Sequence, residues 1–136
     1  MTIQNLGGKT TAFQLHACAV VALASTTGAG QVGGSAATVD LLPYEGDVTF
    51  SLDHAAAGSG VTLTAKIQHS DTTTAGDFVD VTGGAFTAAA ANTAGFATLT
   101  LSSDILRRYV RVLFTTSGGT SSGAVSVMGR GSAKYL

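Results

Sequence analysis

Residues 46–71 read GDVTFSLDHAAAGSGVTLTAKIQHSD. Val48, Phe50 and Leu52 alternate with Thr49, Ser51 and Asp53. After a break of small residues, Val61, Leu63, Ala65 and Ile67 alternate with Thr62, Thr64, Lys66 and Gln68. Side chains of a strand point alternately to its two faces, so each run predicts a strand with one apolar and one polar face. The break Ala55-Ala56-Ala57-Gly58-Ser59-Gly60 is short and flexible enough to reverse the chain, which predicts a β-hairpin. Such a hairpin is marginal alone and needs a second layer over its apolar face.

The chain downstream repeats the pattern. Asp71–Asp77 (DTTTAGD) is a loop, and Phe78, Val79 and Val81 form a short strand closed by Gly83-Gly84. The Ala-rich run Phe86–Gly95 reads equally as a short helix, marginal on its own, or as an irregular or edge segment. Ala97, Leu99 and Leu101 alternate with Thr98, Thr100 and Ser102 as a strand. Ser103–Leu106 is a turn, Tyr109–Thr115 a nearly apolar and therefore central strand, and Ala124–Met128 a last central strand that the tail can extend. Short strands at roughly ten-residue spacing with Gly, Ser and Thr turns predict an all-β protein, an antiparallel β-sandwich of jelly-roll-like form. The expected core is Val48, Phe50, Leu52, Leu63, Ile67, Phe78, Leu99, Tyr109, Leu113, Val125 and Val127. No amphipathic crossover helices separate the strands, which excludes a parallel α/β sheet.

Upstream, residues 1–39 read as an extended N-terminal arm with a Gly-rich connector (STTGAGQVGGSAAT, residues 25–38), and 40–136 as the sandwich domain. A stretch so poor in residues to bury predicts a tether or an arm ordered by a partner. Phe13, Leu15, Val20, Val21 and Leu23 are then candidate partner contacts, through strand addition to a neighbouring sheet edge. The alternative is that the arm folds back as the first strand of its own sandwich. The run Ala17–Ala24 imitates a signal-peptide core, but Lys9 is the one charge before it and its centre is short and Ala-weak. Its Ala content favours helix, while Val20-Val21 and its brevity favour the strand read here.

Composition narrows function. Only 11% of the 136 residues are charged and the net charge is -1, so nothing draws the chain to nucleic acid. Trp is absent, which disfavours base and sugar stacking. No run approaches the ~20 apolar residues that span a bilayer. The single Cys18 forms no intrachain disulfide and is expected as a small buried hydrophobe, with an interchain disulfide as the alternative.

Catalytic and metal motifs fail one by one. Gly8-Lys9-Thr10 resembles the end of a phosphate-binding loop, but Ile3 stands where that loop needs glycine. Asp71, Asp77 and Asp80 invite a calcium reading, yet Ala75 and Thr82 occupy ligand places. The G-x-S-x-G spacing at Gly119–Gly123 falls in a Gly/Ser turn between two strands with no helix to follow, so it makes no nucleophile elbow, and Glu45 is the only glutamate. His54 and His69 fall at opposite ends of the expected hairpin, too far apart to share a metal. No enzyme activity, cofactor or metal is expected. Arg107, Arg108 and Arg111 form the one basic cluster and are candidate contacts to carboxylates of a partner protein.

Three stretches carry a resemblance: Asp40–Gly46 (DLLPYEG), Ile67–Val81 (IQHSDTTTAGDFVDV) and Arg108–Val112 (RYVRV). With the Gly/Ser turn and AVSVMGRGSAKYL that follow, they make residues 40–136 resemble a family of small structural proteins of tailed bacteriophages, the capsid decoration or cement proteins. The resemblance implies a jelly-roll-like sandwich on the outer surface of the virion. It implies the major capsid protein as partner and self-association as a homodimer or homotrimer. Another virion component, a tail or head-fibre protein, is the alternative, and a glycan-binding β-sandwich module a more distant one.

Overall fold

The structure, a computed structural model, describes residues 10–21, 23, 26–87 and 93–134. Gly8 and Lys9 of the phosphate-loop-like triplet, and the centre of the Ala-rich run at 88–92, lie outside the described residues. The strands are β1 (Thr10–Val20), β2 (Thr27–Ala29), β3 (Gln31–Val32), β4 (Ser35–Ala36), β5 (Val39–Asp40) and β6 (Tyr44–His54). They continue with β7 (Thr62–Ser70), β8 (Val79–Ala85), β9 (Gly95–Ser102), β10 (Tyr109–Ser117) and β11 (Ala124–Ala133). One sheet has the order β1-β11-β6-β9. The other has the order β2-β10-β7-β8, with β5 on β10 beside β2. The two are antiparallel sheets packed as an all-β sandwich, as the alternation predicts.

The hairpin expected over 46–71 does not exist. β6 pairs with β11 and β9, and β7 pairs with β10 and β8, so these consecutive strands lie in opposite sheets. Residues 55–61 cross between the layers, with Ala57 and Val61 buried on the way. The chain doubles back later, at the loop after β7. Val79 lies opposite His69, Ser102 opposite Asp47, Tyr109 opposite Asp40, and Ser132 opposite Thr10. These are rungs of one long antiparallel hairpin whose two legs run to opposite ends of the chain. Rolling that hairpin adds the pairings β6–β11 and β7–β10, which makes the sandwich a jelly roll.

Nor do residues 10–21 form an arm apart from the sandwich. β1 is an edge strand of the first sheet, paired with β11 from Thr10↔Ser132 to Val20↔Ala124 with two irregularities in register. Leu15 and Val21 are buried in the core they share with residues 40–136. The Gly-rich connector is equally engaged. β2 lies on β10 (Gly28↔Phe114), and β3 and β4 form a small hairpin through Gly33 and Gly34, both at positive φ. The Gly30 N–H donates to Val112 O at 2.9 Å, and a Cβ at Gly30 would collide with Leu15 O and the Val112 side chain. Glycine here permits close packing where the sequence alone suggests a tether.

Val48, Phe50, Leu52, Leu63, Ile67, Val125 and Val127 fill the interior as expected. On β10 the expectation is reversed. Val110, Val112 and Phe114 are fully buried, while Tyr109 and Leu113 lie half-buried on the outer face. Arg111 shares that outer face, and a cation needs water or a partner that the interior denies it. Leu99 is also only half-buried, and Phe78 is buried away from the main core. Cys18 is exposed, not buried.

Candidate interaction surface

Three stretches distant in sequence meet at one end of the sandwich. After β5, the Tyr44 N–H donates to Leu41 O at 2.9 Å, closing a turn around Leu42 and Pro43. The Leu42 N–H donates to Asp40 Oδ1 at 2.9 Å, which holds the carboxylate at the head of that turn. The Leu41 N–H donates to Arg108 O at 2.7 Å. The Arg108 guanidinium grips Asp40 with two nitrogens, Nη2 at 2.9 Å and Nε at 3.1 Å, and stacks 5.0 Å from the Tyr109 ring centre. That bond holds the Asp40 carboxyl below the usual carboxylate range and raises the pKa of Arg108.

The second wall is the turn between β9 and β10. The Ser103 N–H donates to Gly46 O at 3.1 Å, and the Arg107 N–H to His69 Nδ1 at 3.2 Å. Lys134, just past β11, donates its N–H to Pro43 O at 2.8 Å and closes the third side. Between them lies a cavity of about 260 Å³ floored by Leu41, Leu42, Tyr44 and Leu106. Its rim carries Glu45, Arg107, Arg108 and Lys134. Leu42 is 58% exposed, and Ile105 in the adjoining turn 51%, which leaves two large aliphatic side chains to water. Arg108 is spent on Asp40, whereas Arg107 lies 3.8 Å from Asp71 in an exposed pair. Lys134 has no ion pair among the described residues. An apolar floor with cations on its rim can seat an aliphatic or aromatic side chain flanked by a carboxylate.

The eight expected contact residues are scattered. Arg107 and Arg108 line this cavity. Arg111 lies elsewhere: its Nε donates to Gln68 Oε1 at 2.9 Å and its guanidinium covers Phe78 at 4.4 Å. Partial burial lowers its pKa. Gln68 in turn donates to Asp80, which also accepts from Lys66 Nζ at 2.7 Å, so the outer face of this sheet carries a polar network. Those two donors, Lys66 first, hold the Asp80 carboxyl low. Phe13 is half-buried against Tyr44 and Phe50, with ring centres 5.2 Å and 6.2 Å away. Leu23 is half-buried and its carbonyl accepts from Thr116 Oγ1 at 2.9 Å. Leu15 and Val21 belong to the core, and only Val20, 47% exposed, offers a free apolar side chain.

Asp71, Asp77 and Asp80 face separate partners: Arg107, Thr72 and Lys66. Among the described residues no group of three or more His, Cys, Asp or Glu side chains could hold a metal ion. No helix there is long and apolar enough to cross a membrane. Leu42, Ile105, Leu106 and Lys134 are not among the contacts expected from sequence. The doublet Leu41-Leu42 before Pro43 was the available signal, because consecutive residues of an extended chain cannot both face inward.

The class this geometry defines is a jelly-roll sandwich with a cavity at one end. No protein-family model and no curated protein matches the chain. Among solved structures, the VP2 subviral particle of infectious bursal disease virus is similar in fold, with a TM-score of 0.50 at 12% identity over 90% of this chain and 31% of that one. The SPBc2 prophage-derived protein YomS aligns with a TM-score of 0.42 at 14% identity, over 90% of this chain and 91% of its own. The K1 cleaved adhesin domain of Lys-gingipain from Porphyromonas gingivalis W83 aligns with a TM-score of 0.46 at 12% identity, over 92% and 99%. This chain spans about a third of the VP2 chain's length.

Proposed function

We propose that this protein is a structural component of a virion, a capsid decoration or cement protein that binds the outer surface of a bacteriophage head. One observation carries the reading. The three stretches that resemble the decoration family are far apart in sequence yet meet beside the cavity: Asp40 of the first holds Arg108 of the third, and His69 and Asp71 of the second hold the adjacent Arg107. The fold, seen also in part of a protein of viral particles, supports the same role. The major capsid protein supplies an apolar side chain and a carboxylate, and Leu42, Ile105, Arg107 and Lys134 receive them. The protein also pairs with copies of itself as a homodimer or homotrimer. β9 is a sheet edge without charge or proline, and an edge left so unguarded calls for a covering partner. Catalysis plays no part.

The test mixes the purified protein with heads that lack it, followed by sedimentation and particle imaging. Burying one leucine contributes about 1.5–3 kcal/mol, so Leu42→Asp is expected to weaken binding at least about tenfold without lowering Tm. Arg107→Glu is expected to act in the same direction. Unimpaired binding by both variants overturns the docking surface. Density on tails or fibres and none on heads assigns the protein to another part of the virion.

A further inference from the structure

The chain has three histidines, used in two opposite ways. His16 Nδ1 accepts the Gln31 backbone N–H at 2.9 Å, and its Nε2 donates to Ala19 O at 3.2 Å. His69 Nδ1 accepts the Arg107 backbone N–H at 3.2 Å. A backbone N–H only donates, so both Nδ1 atoms must present a lone pair and both rings must be neutral. His54 is the reverse. Its Nδ1 faces Ala55 O at 3.1 Å and carries the proton, so a second proton on Nε2 leaves that bond intact.

We infer that His16 and His69 are acid-released latches: in mild acid, protonation of their rings expels the Gln31 and Arg107 amides and frees the two segments that those amides anchor. His16 anchors the β3–β4 hairpin. His69 anchors the 103–108 turn, which carries Ile105, Leu106 and Arg107.

The surroundings suit the task. His16 packs edge-on against Phe114 of β10, with ring centres 4.9 Å apart. The cavity beside it is lined by Val20, Val21, Leu23, Gly28, Ala29 and Gln31, none of them charged. Val127 of β11 lies opposite His16 in the register. His69 has Val79 of β8 and Val110 of β10 as strand neighbours, and the charged groups acting on it are Arg107 and Asp71. Burial lowers the pKa of His16 against the opposing pull of its bond to Ala19. Burial and then Arg107 lower that of His69, opposed by Asp71.

A histidine whose pKa is lower folded than unfolded contributes stability in full above its unfolded value, about 6.5. That contribution is lost as pH falls below this value towards the folded pKa. Asp40 and Asp80 are depressed as well, but from the ordinary carboxylate range, so their losses fall at lower pH. The two windows are separable.

Asparagine at either position places an amide oxygen where Nδ1 sits and accepts the same N–H without titrating. Melting curves from pH 8 to pH 5 compare the wild-type protein and the double variant His16→Asn/His69→Asn. The wild type is expected to lose stability between pH 7 and pH 5 with a steeper slope than the double variant. A double variant with the wild-type slope, or a flat wild type, overturns the inference. Amide exchange in the wild type decides the matter if the double variant does not fold. Protection of the Gln31 and Arg107 amides is expected to fall about tenfold between pH 7.5 and pH 5.5 relative to a core amide such as Phe114, and unchanged protection overturns the latch. One consequence rests on the docking reading: attachment to heads is weaker at pH 5.5 than at pH 7.5. Failure to bind heads at either pH counts against docking, and the melting curves judge the latch separately.

Discussion

Adjacent positions on β10 give the sharpest test of the fold. Phe114 is fully buried between the sheets, in edge contact with His16, and its strand neighbour Leu113 is half-buried on the outer face. Truncating a buried phenylalanine to alanine removes its transfer free energy and leaves a cavity that a close-packed interior fills only in part, a cost of about 3–5 kcal/mol. A leucine already half in water loses only part of its ~1.5–3 kcal/mol of burial, so Leu113→Ala is expected to cost roughly 1 kcal/mol. For a domain of this size each kcal/mol moves Tm by roughly 3–5 °C. Phe114→Ala is therefore expected to melt about 10–20 °C lower and Leu113→Ala about 3–5 °C lower. Urea titrations with matched slopes supply the free energies directly. Equal costs at the two sites, or a larger cost at Leu113, would show that the opposite face of β10 is the buried one and refute the packing described above.

A truncation starting at Asp40 removes β1 to β4 and Val39 of β5, uncovering an edge of β11 and part of β10, and strips Leu15 and Val21 from the core. It is expected to yield insoluble or unfolded protein by circular dichroism, and a soluble, folded 40–136 fragment would refute the placement of β1. Gly30→Ala forces a methyl group against Leu15 O and the Val112 side chain, and is expected to destabilise by about 1–3 kcal/mol in the same urea titration. An unchanged midpoint would show that the contact between the connector and the core is looser than described.

Much of the candidate surface was within reach of sequence, but not its assembly. Arg107 and Arg108 stood out as a basic doublet, and Asp40–Gly46 as the start of the sandwich. That Asp40 accepts from Arg108 across 68 residues has no local signal. Leu42 and Ile105 read as ordinary apolar residues, since exposure of a leucine in a turn depends on what the rest of the chain covers. Nothing local marks the roles of His16 and His69, because those roles depend on amides 15 and 38 residues away.

What the sequence determined by itself is the all-β class and the buried face of β6, β7 and β11. Those follow from a period-two pattern that each strand carries locally, and from glycines and small polar residues that interrupt it. The tertiary structure alone decided which strand lies beside which. Alternation states which side chains turn inward but not across which gap they pack, so β6 and β7 satisfied it equally well facing one another from opposite sheets as they would have side by side. The same holds for β1: Leu15 requires cover, and only the rolled hairpin shows that this strand pairs with residues 124–132 of the same chain. On β10, where both faces are apolar enough, the choice fell to the one charged residue that the interior could not hold, Arg111.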